Sequence, residues 1–170
     1  VPATSPRPTR ARSRVLLGVV ASAALLAGCT SAVPVPVAPH ATDPVCASVV
    51  LATPDSLGDG LTRRDTTSQA TTAWGDPAHP VVLRCGVELL GPTTEHCVTV
   101  ATPGGATVDW VAVASDPEHE DTSAWTFTTY GREPAVEVQV PAEVAQERST
   151  AFMDALGPAV DRTTKTRACL

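Results

Sequence analysis

Val15 to Ala27 form a run of apolar and small residues (VLLGVVASAALLA) that ends at Gly28 and Cys29, and this run decides which part of the chain is available to fold. Its 13 residues span about 20 Å as a helix, short of the roughly 30 Å of a bilayer's hydrocarbon. The preceding stretch carries Arg7, Arg10, Arg12 and Arg14 and no acid. A positive start, a short apolar run and small residues before a cut site define a signal peptide over residues 1–28, and a permanent transmembrane helix is the weaker reading. Removing that segment leaves 142 of the 170 residues, enough for one domain with its own core. All 18 acidic side chains but only 8 of the 12 basic ones lie in this part, so its formal charge is −10 rather than −6. Such a surface repels phosphate backbones, and nucleic acid is not an expected partner.

The residues Leu26-Ala27-Gly28-Cys29 resemble the lipobox of bacterial lipoproteins. The resemblance implies transfer of a diacylglyceryl group to the Cys29 thiol, cleavage after Gly28, and acyl chains, palmitate among them, on the new terminus. Two or three chains, at about 0.8 kcal/mol per buried methylene, hold a protein to a bilayer where one chain does not. The expected location is the outer face of the cytoplasmic membrane, with the membrane itself a partner through Cys29. Thr30 to Asp43 (TSAVPVPVAPHATD) contains Pro34, Pro36 and Pro39, which favour an extended polyproline II spacer. The expected organisation is therefore a signal peptide over 1–28, a lipidated cysteine and Pro-rich tether over 29–43, and a single extracytoplasmic domain over 44–170.

With Cys29 assigned to lipid, Cys46, Cys85, Cys97 and Cys169 remain. An even set in an exported chain predicts two disulfides with three connectivities. No C-x-x-C is present, and the spacings match no zinc-finger pattern. Cys85 and Cys97 flank a short connection between two strand-like runs, while Cys46 and Cys169 open and close the domain. Cys85–Cys97 and Cys46–Cys169 are the expected bridges.

Asp43-Pro44 before PVCASVVLAT predicts a short capped helix stopped by Pro54. Asp55 to Asp76 is rich in Gly, Thr and Asp and reads as an irregular loop ending in the turn Trp74-Gly75-Asp76-Pro77. Five strand-like runs follow: Val81–Val87, His96–Ala101, Thr107–Ala114, Ala124–Tyr130 and Ala135–Val140. In the last of them Val136, Val138 and Val140 alternate with Glu137 and Gln139, the mark of a sheet with one buried and one wet face. From Ala142 to Arg162, Val144, Phe152, Leu156 and Val160 share a helical face, broken at Gly157-Pro158. The predicted fold class is α+β: about five antiparallel strands flanked by an N-terminal and a C-terminal helix on one sheet face, with two disulfides.

The order of features resembles a known family. After the lipobox come a cysteine near the domain start, Arg63-Arg64, the turn Trp74–Pro77, VLRCGV (Val82–Val87), VDW (Val108–Trp110), TFTTYGR-PAVEV (Thr126–Val138) and Arg167-Ala168-Cys169. This pattern is similar to the actinobacterial lipoproteins catalogued as domain of unknown function 3515, and it covers nearly all of residues 44–170. The resemblance implies a cell-envelope lipoprotein of unassigned activity and supplies no catalytic residues.

Three sets of side chains carry candidate chemistry. Arg64, Arg84 and Arg132, with Arg63, are conspicuous in so acidic a chain; converging guanidinium groups would clamp a carboxylate or phosphate. The favoured reading makes Arg84 and Arg132 braces for Asp109 or Glu137 instead. Asp116, Glu118, His119, Glu120 and Asp121 offer oxygen and imidazole ligands for a divalent cation. The loop lacks the Gly and spaced acids of an EF-hand, so a solvated acidic turn is favoured and no metal is assigned. No G-x-S-x-G or S-x-x-K occurs, no catalytic residue is assigned, and no cofactor is expected. Trp110 and Trp125, on neighbouring strands, are expected in a shared core. The leading functional expectation is a non-catalytic binding or scaffolding module with an envelope-protein or cell-wall partner. The alternatives are an envelope hydrolase acting on cell-wall or peptide material, and a lipoprotein that handles divalent metal.

Overall fold

Apolar alternation becomes sheet wherever the sequence displays it. The computed structural model describes residues 1–3, 32–104, 106–147 and 150–169, so Cys29 and the apolar run before it lie outside the described residues. In chain order the elements are α1 (Pro44–Leu51), β1 (Arg63–Arg64), β2 (Thr71–Trp74), β3 (Val81–Val87), β4 (His96–Ala101), β5 (Thr107–Ala114), β6 (Trp125–Thr129), β7 (Arg132–Glu133), β8 (Ala135–Val140), α2 (Ala142–Glu147), α3 (Gly157–Val160) and β9 (Thr164–Lys165). A 3₁₀ turn precedes β6 at Glu120–Thr122, and a 3₁₀ helix, Thr150–Leu156, runs into α3. Seven strands form one antiparallel sheet in the order β1-β2-β3-β8-β6-β5-β4, and β7 pairs with β9 in a separate ribbon. Among the described residues no helix is long and apolar enough to cross a membrane.

The α+β expectation is therefore overturned. The described residues are mostly β, with seven strands rather than five in the main sheet and only short helices. Two causes account for the difference. The polar stretch read as a loop supplies β1 and β2, and all four residues of β2 are buried. The expected C-terminal helix is divided into α2, a 3₁₀ helix and α3, with Gly157-Pro158 opening the last of them.

One sheet face carries the main core. Val81, Leu83 and Cys85 of β3, Val136, Val138 and Val140 of β8, Phe127 of β6, and Val108, Trp110 and Ala112 of β5 meet Cys46 and Val49 of α1 and Met153, Leu156, Ala159 and Val160 of the C-terminal helices. α1 starts as its sequence dictates: Asp43 Oδ1 accepts from the Val45 N–H at 2.8 Å, and Pro44 opens the first turn. Gly157 is required by contact, because a Cβ there would lie 2.2 Å from Thr102 Cγ2.

Residues 32–43, the described part of the stretch expected to form an extended tether, pack on the domain instead. Val33 and Val35 are buried with Ala73 and Val82, and Ala38 and Ala41 with Val87 and Ala135. The Val33 N–H donates to Asp65 O and the Thr67 N–H returns to Val33 O, while Ser68 Oγ bonds Val35 O. The prolines set the extended path, and the small apolar residues between them supply the burial that keeps it on the sheet. Gly86 makes room: its φ is +85°, it lies at the register shift of β3, and the His40 N–H reaches its carbonyl at 2.8 Å.

The disulfides also differ from expectation. Cys46 is joined to Cys85 and Cys97 to Cys169. Cys85 and Cys97 are close in sequence, but β8, β6 and β5 lie between their strands in the sheet. Four strand spacings separate them by about 19 Å, well beyond the roughly 7 Å limit for bridged Cα atoms. Cys46 on α1 lies over Cys85 on the core face, with Cα atoms 5.4 Å apart.

Candidate functional site

The arginines singled out by sequence are structural braces in three separate places. Arg84 on β3 faces Glu137 on β8, and its Nε and Nη2 donate to Oε1 at 3.0 and 2.8 Å; Gln139 Nε2 donates to the same oxygen at 2.9 Å. Arg132 is buried and donates to Asp161 Oδ1 at 3.1 Å and to the carbonyls of Thr163 and Thr107, each at 3.3 Å. Arg64 Nε donates to Gly75 O at 2.9 Å, and Arg63 reaches Val50 O and Thr53 O at the end of α1, where a cation complements the negative end of the helix. Among the described residues these arginines form no shared carboxylate- or phosphate-sized clamp, because each is directed at protein acceptors in its own place. Bracing of Glu137 by Arg84 is as expected; the partner of Arg132 is Asp161 rather than either acid anticipated.

The acidic loop is likewise internally engaged. Asp116 Oδ1 accepts from the Glu118 N–H at 3.0 Å, Oδ2 lies 3.0 Å from His119 Nδ1, and the Asp116 N–H donates to Ser123 Oγ at 2.8 Å. Glu118 and Glu120 are exposed. Among the described residues no three His, Cys, Asp or Glu side chains are grouped to hold a metal ion.

A carboxylate considered from the sequence only as a partner for Arg84 or Arg132 is more deeply placed. Asp109, 5% exposed, accepts from Thr99 Oγ1 at 2.7 Å and from the Cys169 N–H at 3.3 Å, with Lys165 Nζ 3.6 Å away. Its signal was an acid at the third position of the mostly apolar run TVDWVAVA.

One of the clefts open on the surface, of about 330 Å³, lies at the end of β4, β5 and β6 and is lined by Glu95, His96, Ala112, Val113, Ala114, Pro117, Glu120 and Trp125. Strand pairing builds it: Ala114 is opposite Trp125 and His96 opposite Ala112. Trp125 is only half-buried; its inner side stacks on Phe127, with ring centroids 6.2 Å apart and planes at 27°. Val113 is 40% exposed, one of the few large apolar side chains left on the surface. A half-open indole beside two carboxylates offers apolar contact and attraction for a cationic or amphipathic group. Trp125 packs against the core cluster that contains Trp110, as expected, though it stands opposite Ala114 while Trp110 stands opposite Thr129, and it also forms this wall.

Residues 13–169 match a family model described as "Protein of unknown function (DUF3515)". No curated protein and no solved structure matches the chain.

Proposed function

Because the chain belongs to the DUF3515 family of proteins of unknown function, we propose that it is a cell-envelope lipoprotein, anchored through Cys29 on the outer face of the cytoplasmic membrane, that acts as a non-catalytic binding or scaffolding module. The signal-peptide pattern and the lipobox-like Leu26–Cys29 support the location, and two disulfides fit an oxidising compartment. The observation that carries the binding role is a contrast. Arg64, Arg84, Arg132 and Asp109 are used up inside the fold, while the Trp125 cleft keeps an aromatic wall and two carboxylates facing solvent. Hot spots on binding surfaces are built from such half-open aromatics.

A photo-crosslinking residue placed at Val113 in intact cells tests the role. The expected result is one dominant adduct that disappears in Trp125→Ala. Equal labelling in both backgrounds would remove the cleft as the contact surface. Location is tested separately by mass spectrometry of the processed terminus: a thioether-linked diacylglyceryl group on Cys29 supports the anchor, and a bare cysteine overturns it.

A further inference from the structure

The two disulfides sit in opposite environments. Cys46 and Cys85 are both 0% exposed within the main core. Cys97 and Cys169 are half-buried, and both line an open cleft of about 440 Å³ whose other walls include Glu95, His96 and Tyr130. Thiol–disulfide exchange requires a thiolate to reach sulfur, so access separates a labile bridge from an inert one.

The labile side holds a strap. Residues 163–169 run from α3 along β7, where Arg132 pairs with Lys165 and Glu133 with Thr164. The Thr166 and Arg167 N–H groups donate to Gly131 O at 2.8 and 3.4 Å, and the Arg167 guanidinium lies 6.0 Å from the centre of the Tyr130 ring. Thr164 to Ala168 are exposed, so little apolar burial holds the strap down. Among the described residues, its far end is held by the Cys97–Cys169 bond and by the Cys169 N–H on Asp109. Cutting that bond frees the end without removing any side chain of the main core.

We propose that Cys97–Cys169 is a thiol–disulfide exchange site, open to dithiol reagents and dithiol proteins, whose reduction releases the strap and admits solvent to Asp109. One thiolate of the dithiol attacks one cysteine of the bridge, forming a mixed disulfide and expelling the other as a thiolate that takes a proton from water. The second thiol of the dithiol then attacks its own half of the mixed disulfide. The protein is left with two thiols and the reagent leaves as its disulfide, two electrons having passed from reagent to protein. Cys46–Cys85 takes no part.

The test exposes the full-length folded chain to dithiothreitol without denaturant, quenches with a first alkylating agent, and maps the four cysteines by mass spectrometry after a second label. Cys97 and Cys169 are expected to be labelled at least tenfold faster than Cys46 and Cys85. Hydrogen exchange of the partly reduced protein is expected to rise at residues 166–169 and not in β3 or β8. Equal rates for the two bridges, earlier opening of Cys46–Cys85, or reduction of either only with loss of protection in β3 and β8 would each overturn the proposal. A Cys97→Ser, Cys169→Ser variant supplies the second arm. Fast exchange confined to 166–169 supports the strap, and exchange unchanged from the oxidised protein overturns it.

Discussion

Arg84 and Glu137 stand opposite each other on β3 and β8, and the guanidinium donates twice to a single carboxylate oxygen. Their side chains are only 19% and 13% exposed, so removing one partner strands the other charge mostly out of water. Arg84→Ala and Glu137→Ala are each expected to lower the unfolding free energy by about 2 kcal/mol. The double variant should lose less than the sum, because one loss is shared. Urea denaturation of the four proteins measures the coupling; strictly additive losses would show that the pair contributes no interaction of its own.

Gly86 admits the backbone of the preceding segment. A Cβ at this position would lie 2.4 Å from the carbonyl carbon and oxygen of His40, and φ is +85°. Gly86→Ala is expected to cost about 2 kcal/mol from backbone strain and displaced packing. Limited proteolysis should then cut near residues 38–42, and the same segment is expected to resist cleavage in the parent protein. An unchanged cleavage pattern would count against seating of this segment on the sheet.

Cys46–Cys85 closes a loop of 39 residues in sequence separation. Replacing both cysteines by alanine is expected to reduce stability by about 4 kcal/mol, the chain-entropy value for a loop of that length. Thermal and urea unfolding of the double variant against the parent check this.

The carboxylate of Asp116 is committed to the Glu118 N–H and to His119. Millimolar Ca²⁺ or Zn²⁺ is therefore expected to leave the melting temperature within about 1 °C of its value in chelator. A rise of several degrees, lost in an Asp116→Ala variant, would establish a metal site in the loop.

Strands with a wet face were legible because polar and apolar residues alternate; β8, with Val136, Val138 and Val140 inward, is the clearest case. β2 was not, because it has no wet face. Thr71 and Thr72 are polar by type yet buried, and the Thr71 hydroxyl is satisfied 2.6 Å from Thr66 Oγ1. The C-terminal region was right in composition and wrong in geometry: Val144, Leu156 and Val160 are all buried, but on separate short turns. Cysteine pairing escaped because it depends on strand order, and β8 inserts beside β3 from 48 positions downstream (Val87 to Ala135), a choice no local pattern records. The Trp125 cleft escaped for a related reason, since its walls come from β4, β5, β6 and the loop at Pro117.

The bridges Cys46–Cys85 and Cys97–Cys169 pair the four domain cysteines in chain order, the first with the second and the third with the fourth. A polypeptide threading from N- to C-terminus into an oxidising compartment would present these thiols two at a time, so first-come pairing yields the native set without reshuffling. Cys29 alone would spoil that order by offering Cys46 an earlier mate. The proposed thioether on Cys29 would withdraw that competitor, making lipidation a guard on oxidative folding as well as an attachment.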